Sequence, residues 1–388
     1  MDHPRVGRVI VDETSRELPL EYGARMVETR SRSMVLGVAA LGMVLAGCGS
    51  GTKPEAGPAP VATATASRAA TSTTVANGPV AASPSAGCAQ KQTPATPTDD
   101  KVTTTSGGES RWYLRHVPPT YVPGSPSPVV IDIHGYQEGA AIHAVMSRLG
   151  AYGDTHGFIT LGPNGTGIVT HWDTALGGKD LKFIGDMLDE VEAAMCVDTN
   201  RVFVTGLSQG AFMTSAVACV YANRIGAAAP VAGVMSNIKD CKPARAVPLV
   251  TFHGTADGFV AFDGGLGKDA LNLPSPDGKG KVGDQPGIKN SRKGLTIPQQ
   301  VAGWAQRNGC ADTPTETKIA YDVTLVNYTC TNRRDVAFYR VADGGHTWPG
   351  SEFSKTIAKV VGRTTDSINA DEVMWKFFEA HPLRASAG

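Results

Sequence analysis

Short apolar runs alternate with segments of helical periodicity over most of the chain, and this alternation limits the possible folds more than any other feature. Residues 128–133, 202–205 and 248–252 are dominated by β-branched and other apolar side chains, as expected of strands buried on both faces. Residues 181–195 carry apolar side chains at helical spacing. Repeated strand–helix alternation predicts an α/β fold, with a mostly parallel sheet covered by helices on both faces.

The charge balance excludes several classes of partner. The 388 residues include 36 Lys plus Arg and 36 Asp plus Glu, a formal net charge of +0. A nucleic-acid-binding protein would carry a basic excess, and so would a protein with a polybasic attachment to anionic lipid. The longest apolar run, residues 34–46, is shorter than the roughly 18 residues of a membrane-spanning helix. We therefore expect no nucleic-acid partner and no spanning helix.

The N-terminal region has the pattern of an export signal. A basic segment precedes the apolar run, which ends in Leu45-Ala46-Gly47-Cys48. This ending resembles a bacterial lipobox, in which the Cys receives a lipid. Residues 26–47 are therefore predicted to be a lipoprotein signal peptide and Cys48 to be the lipidated mature N-terminus. The alternative is an ordinary signal peptide that happens to end in Cys.

The flanking segments complete the predicted domain plan. Residues 1–25 are either an extension of the gene model ahead of Met26 or a long n-region. Residues 48–100 are rich in Ala, Thr, Ser, Pro and Gly, and are predicted to be a disordered tether. Residues 101–388 then form a single domain of ordinary size. The predicted location is outside the cytoplasm, either held to the cell membrane by the lipid anchor alone or secreted.

Six cysteines follow Cys48, and export to an oxidising compartment favours disulfides. The simplest pairs are Cys88 with Cys196, Cys219 with Cys241, and Cys310 with Cys330. The last pair flanks a predicted hairpin, the second brackets a helix–strand unit, and the first follows by elimination. The alternative is that some of the six are buried thiols. Their spacings fit no zinc pattern, so no metal site is predicted.

A serine nucleophile is predicted in Gly206-Leu207-Ser208-Gln209-Gly210, which joins the strand at 202–205 to a helix of small residues at 211–221. A tight strand–turn–helix connection exposes the serine hydroxyl, and the two glycines leave room where strand and helix cross. The alternative is a glycine-rich turn with a bystander serine, because the motif alone is weak.

A serine nucleophile needs a base and an acid that orients the base. His346 lies in the glycine-rich loop 343–350, and Asp257 closely follows the strand at 248–252. The chain order Ser208, Asp257, His346 is that of α/β-hydrolases. Asp263 is the alternative acid, although it lies farther from the strand end.

An oxyanion hole is predicted from two backbone N–H groups, those of Tyr136 and Gln209. Tyr136 follows His134-Gly135 at the end of a predicted strand, and Gln209 follows Ser208. Such donors stabilise the negative charge that develops on a carbonyl oxygen.

In these motifs the sequence resembles the secreted esterase family that contains polyhydroxybutyrate depolymerases and feruloyl and acetylxylan esterases. The matching pieces are His134-Gly135 and residues 197–210, 253–257, 304–310, 344–350 and 369–378. The resemblance implies an α/β-hydrolase fold with nucleophile Ser208, base His346 and orienting acid Asp257, and it implies no metal or organic cofactor. Gln209 stands where many members have Asn, which should not matter if only its backbone N–H is used.

Two features bear on the substrate. Residues 263–295 form a Gly-, Lys- and Asp-rich insertion, which predicts a wet, open rim; the alternative is that it is disordered. His134, Trp172 and Trp348 are candidates for lining the substrate site, although the two Trp side chains could instead pack the loops. The predicted function is an extracytoplasmic serine carboxylic ester hydrolase acting on polymer or phenolic esters. The alternatives are a peptidase of the same fold and a non-catalytic binding lipoprotein.

Overall fold

The computed structural model describes residues 80–90, 99–288 and 294–383. The segment at 1–25, the predicted signal peptide at 26–47 and the lipidation site Cys48 lie outside these ranges. Within them, no helix has the length and apolar character needed to cross a membrane.

The described chain builds a ten-stranded sheet with six parallel strands at its centre. In chain order the strands are β1 (Asp99–Ser106), β2 (Glu109–His116), β3 (Ser127–Ile133), β4 (Ile159–Pro163), β5 (Val197–Leu207), β6 (Ala228–Val231), β7 (Leu249–Gly254), β8 (Thr315–Lys318), β9 (Val323–Tyr328) and β10 (Val336–Val341). Their spatial order is β1-β2-β4-β3-β5-β6-β7-β10-β9-β8. The strands from β4 to β10 in that order are parallel, and antiparallel strands close both edges.

Helices cover both faces of this sheet. They are α1 (Ala140–Ser147), α2 (Leu149–His156), α3 (Lys179–Ala194), α4 (Gln209–Val220), α5 (Ile297–Asn308), α6 (Glu352–Thr356), α7 (Ala358–Val361) and α8 (Ala370–Ala380). Because successive strand residues point to opposite faces, Val202 and Val204 of β5 join one buried cluster and Phe203 joins the other. The first cluster includes side chains of α3, α4 and α5, and the second includes side chains of α2 and α8. The predicted α/β-hydrolase fold is confirmed.

Three disulfides join the predicted pairs: Cys88 with Cys196, Cys219 with Cys241, and Cys310 with Cys330. They span 108, 22 and 20 residues of sequence. The first closes by far the longest loop, so in the chain-entropy account it restricts the unfolded chain most.

Residues 80–90 pack on the domain, which corrects the predicted extent of the tether. The Ser85 N–H donates to the Val197 carbonyl (2.9 Å), and the Ser85 hydroxyl donates to the Met195 carbonyl (2.8 Å). The disulfide to Cys196 holds the same segment, and β1 already begins at Asp99. The composition was misleading because hydrogen bonds and a covalent link, rather than apolar burial, attach this segment. Residues 80–90 therefore belong to the domain.

Several short elements escaped the sequence analysis. The edge strands β1 and β8 have no alternation of apolar and polar residues, and all four residues of β8 are exposed. Helices α1 and α2 are eight residues each and are separated only by Arg148, which adopts a left-handed conformation (φ 56°). Periodicity is too short to detect in such elements.

Candidate active site

Ser208 occupies a sharp turn between β5 and α4. Its backbone has φ 59° and ψ −119°, a region that non-glycine residues rarely adopt. Such strain persists only where the surroundings impose it. A Cβ on Gly210 would lie 2.0 Å from the Ile133 carbonyl oxygen, and one on Gly206 would lie 2.5 Å from the same atom. Only glycine at both positions lets the turn approach β3 this closely.

Asp257 and His346 are paired at the same edge of the sheet. Asp257 follows β7, His346 follows β10, and His346 Nδ1 lies 2.8 Å from Asp257 Oδ2. The other oxygen, Asp257 Oδ1, accepts hydrogen bonds from the N–H groups of Phe259 (2.8 Å) and Val260 (2.9 Å). Burial alone would raise the pKa of the Asp257 carboxyl, but the adjacent His346 and these hydrogen bonds hold it below its usual value. The alternative acid, Asp263, is exposed to solvent.

Phe259 packs against His346 and lines the same cavity as Ser208. Its ring centroid lies 5.0 Å from that of His346. The three residues follow the carboxyl ends of β5, β7 and β10, where parallel strands in α/β sheets present their ligand sites. The three sequence-predicted residues therefore lie at the same edge of the sheet, and Ser208 lines the cavity there.

Tyr136 and Gln209 also line the Ser208 cavity. Gln209 is the first residue of α4, so its N–H has no acceptor within the helix. Tyr136 lies in the loop after β3, and the neighbouring Gly135 N–H donates to Glu138 Oε2 (2.6 Å). The two residues predicted to supply oxyanion donors therefore line the same cavity as Ser208.

The Gln209 side chain has a role that the sequence analysis did not expect. Its Oε1 accepts from the Trp172 N–H (2.9 Å), and its Nε2 donates to the Trp172 carbonyl (3.1 Å). This reciprocal amide pair ties the turn at Ser208 to the loop before α3. The condition under which Asn and Gln would be equivalent, use of the backbone N–H alone, is therefore not met.

The predicted substrate-lining residues lie in the interior instead. His134, Trp172 and Trp348 are at most 3% exposed, and none of them lines the Ser208 cavity. The Trp172 indole donates to the His134 carbonyl (2.8 Å), and the Trp348 indole donates to Asp371 Oδ1 (2.9 Å). Burial lowers the pKa of His134 to about 4, so its ring is neutral. Packing and hydrogen bonding of the loops account for all three, which corrects that prediction.

A buried charged group supports the loop that carries Tyr136. His143 of α1 lies between Asp132 of β3 (Nε2 to Oδ1, 2.8 Å) and Glu138 (Nδ1 to Oε1, 3.2 Å). Burial would lower the pKa of His143, but the two carboxylates outweigh it and raise the value to about 10. Glu138 in turn holds the Gly135 N–H. The sequence signal for this group was Asp132, since a charge in a buried strand requires a partner.

The buried carboxyl of Asp371 should make the stability of the fold depend on pH. Burial, followed by the negative charge of Asp132, raises the pKa of this carboxyl to about 7 from its ordinary value of 3.8. A raised pKa means that stability is lost as the pH increases from about 4 to about 7, where the unfolded chain ionises first. Relative to wild type, Asp371→Asn should therefore gain up to about 4 kcal/mol of unfolding free energy across that window, at 1.36 kcal/mol per pKa unit.

Urea unfolding at pH 4 and pH 8 would measure the gain. Glu372→Gln is the matched control, because Glu372 occupies the same first turn of α8 but its side chain is exposed. If the free energy of unfolding of Asp371→Asn differs from that of wild type by the same amount at both pH values, the pKa of Asp371 is not raised.

Known proteins provide an independent comparison. No protein-family model matches the chain. Feruloyl esterase B of Piromyces equi is 30% identical over 171 residues, which are 43% of this chain and 28% of that protein. Poly(3-hydroxyalkanoate) depolymerase C of Paucimonas lemoignei is 35% identical over 129 residues, which are 31% of this chain and 30% of the depolymerase. The chain is a relative of these esterases.

The chain matches these two relatives over only part of their lengths. The feruloyl esterase and the depolymerase are matched over less than a third of their own lengths, so their activities come to this chain only as a proposal. "Putative esterase NocK" of Nocardia uniformis is 25% identical over 323 residues, which are 77% of this chain and 90% of that protein. A solved acetyl xylan esterase from Aspergillus awamori is 16% identical with a TM-score of 0.48, and the match covers 73% of this chain and 99% of that one.

Proposed function

We propose that this protein is a serine carboxylic ester hydrolase with Ser208 as nucleophile, His346 as base and Asp257 as orienting acid. The observation that carries the proposal is the backbone of Ser208, held at φ 59° on the wall of a cavity that Phe259 also lines, and the Phe259 ring packs against His346 of the buried His346–Asp257 pair. A strained serine costs free energy that a structural turn would avoid by using glycine. The names of the relatives agree with ester chemistry.

The proposed reaction proceeds through an acyl-enzyme. His346 Nε2 takes the proton from Ser208 Oγ as that oxygen attacks the ester carbonyl carbon. The N–H groups of Tyr136 and Gln209 donate to the resulting oxyanion. Cleavage of the carbon–oxygen bond releases the alcohol, which receives the proton from His346; water then repeats the sequence and frees the acid. Asp257 keeps Nδ1 protonated and stabilises the charged ring.

The proposed substrates are polymer or phenolic esters, since the relatives are named for feruloyl esters and poly(3-hydroxyalkanoate). The purified protein should hydrolyse a feruloyl ester, acetylated xylan or hydroxybutyrate oligomers faster than it hydrolyses peptide amides. Liquid chromatography of the released acids measures each rate. Rapid amide cleavage without ester cleavage would favour the peptidase of the same fold, and no cleavage at all would favour a binding protein.

We further propose that the protein works outside the cytoplasm, held by a lipid on Cys48. Three disulfides support an oxidising compartment, and the sequence 45–48 supports the lipid. A diacylglycerol group provides two chains, and two-chain anchors hold stably where one chain does not. Mass spectrometry of the native protein should find a diacylglyceryl Cys48 at the N-terminus; an unmodified Cys48 would contradict the anchor.

A further inference from the structure

Residues 263–288, here called the cover, form a folded segment that closes one side of the Ser208 cavity. The cover is joined to the loop after β7, where the N–H groups of Gly267 and Asp269 donate to the carbonyls of Phe259 (2.7 Å) and Gly258 (2.9 Å). It is joined to the loop after β3 by the Tyr136 hydroxyl, which donates to the Pro274 carbonyl (2.8 Å). The cover is therefore attached on two sides to loops that carry the proposed catalytic groups.

The inner surface of the cover is apolar. Its residues on the cavity wall, nearly all apolar, are Leu266, Ala270, Leu273, Pro276, Val282, Gln285, Pro286 and Ile288. Its lysines at 268, 279 and 281 are exposed. The composition rich in Gly, Lys and Asp predicts a wet, open rim, but this segment places charged side chains outward and apolar ones inward, so its cavity-facing side is apolar.

The cavity wall is completed by the body of the domain. Phe212 of α4 and Phe259 and Val260 after β7 supply further apolar surface, while Ser208, Tyr136 and Gln209 form the polar end. The volume is ≈ 380 Å³, at the small end of the range for small-molecule sites. Such a space encloses one compact group beside the Ser208 hydroxyl, and any attached polymer must extend outside.

We propose that the cover is the specificity element of this site, and that it selects esters with a compact apolar group bonded directly to the scissile ester. The inference rests on the proposed ester hydrolysis. Leu273 and Val282 are central to it, because the Val282 N–H donates to the Leu273 carbonyl (2.8 Å) and brings the two side chains to the wall together. The apolar group is either the acyl chain or the alcohol.

The proposal predicts how kcat/KM changes with the number of methylene groups in the substrate. Each methylene transferred from water to an apolar site gains enough free energy for about a fourfold increase in affinity or in kcat/KM. For substrates that fill the cavity, kcat/KM should therefore rise about fourfold per methylene until the cavity is full, and then fall. A polar rim would give no such slope.

Two ester series distinguish the acyl chain from the alcohol. One series is p-nitrophenyl acetate, butyrate and hexanoate, and the other is the acetate esters of ethanol, butanol and benzyl alcohol. We expect kcat/KM to rise with apolar size in one series and to stay nearly level in the other. If kcat/KM is equal across both series and the acetates are clearly turned over, the proposed role of the cover is wrong and the proposed ester hydrolysis stands. No turnover of any ester would overturn the proposed function instead.

Variants of the cover then test the assignment of the wall. Leu273→Trp should fill the cavity and lower the ratio of kcat/KM for the largest to the smallest favoured ester by about tenfold or more, whereas Leu273→Ala should shift the optimum toward larger groups. Leu271→Ala is the matched control, since Leu271 lies in the same segment but not on the cavity wall. Fluorophosphonate labelling reports whether each variant is folded. Unchanged size preference in labelled Leu273→Trp and Leu273→Ala would refute the proposal.

Discussion

Replacing Ser208 with alanine is expected to lower kcat for ester hydrolysis by about 10⁶-fold, the magnitude found when a triad serine is removed from another hydrolase. The reason is that no other oxygen stands where strand, turn and helix place the Ser208 hydroxyl. Stability should change little, because alanine keeps a Cβ at the same strained backbone. The residual rate would come from the oxyanion donors and from binding.

Two measurements check this result together. Turnover of a soluble ester gives kcat, and a fluorophosphonate probe, which reacts rapidly only with an activated serine, reports whether the hydroxyl is the nucleophile. Ser110→Ala is a suitable control, since Ser110 is exposed on β2. A folded Ser208→Ala protein that keeps wild-type turnover would end the proposed mechanism.

The second large effect is expected from Asp257→Asn, which should lower kcat by about 10⁴-fold. An amide retains the shape of the side chain but loses its charge, so it no longer stabilises the charged His346 ring. Its NH2 group can also face Nδ1 and force the wrong tautomer. The two backbone donors at Phe259 and Val260 should still hold the remaining oxygen, so the fold should survive.

Asp263→Asn separates this role from a general effect of charge in the same region. Asp263 lies six residues farther along and is exposed, so its variant should keep near-wild-type kcat. If instead Asp263→Asn is inactive and Asp257→Asn is active, the acid has been assigned to the wrong residue.

Local patterns were sufficient to predict the centre of the fold and to select the three residues that we propose to react. The turn at Ser208 can be predicted because the strand, the glycines and the helix are contiguous in sequence. The proximity of Asp257 and His346 can be predicted because each follows a buried strand, and parallel strands bring their carboxyl ends to one edge of the sheet.

Contacts between distant segments could not be predicted in the same way. Nothing in the sequence around Gln209 indicates that its amide meets the Trp172 backbone, and nothing around Tyr136 indicates a bond to Pro274. The apolar inner side of the cover could not be predicted because its apolar residues follow neither helical nor strand periodicity. Likewise, the burial of both predicted substrate-lining Trp residues depends on how loops from separate strands pack.

The position of the cover has a consequence for how the protein can diversify. Residues 263–288 contribute no strand to the sheet, whereas Gly206 and Gly210 are fixed by the close approach of Ile133. Mutations in the cover therefore change what enters the site at little expense to the scaffold, while mutations at the turn threaten both. Selection for a new ester preference should accumulate substitutions in this one segment, and homologous covers should be exchangeable between relatives as a cassette.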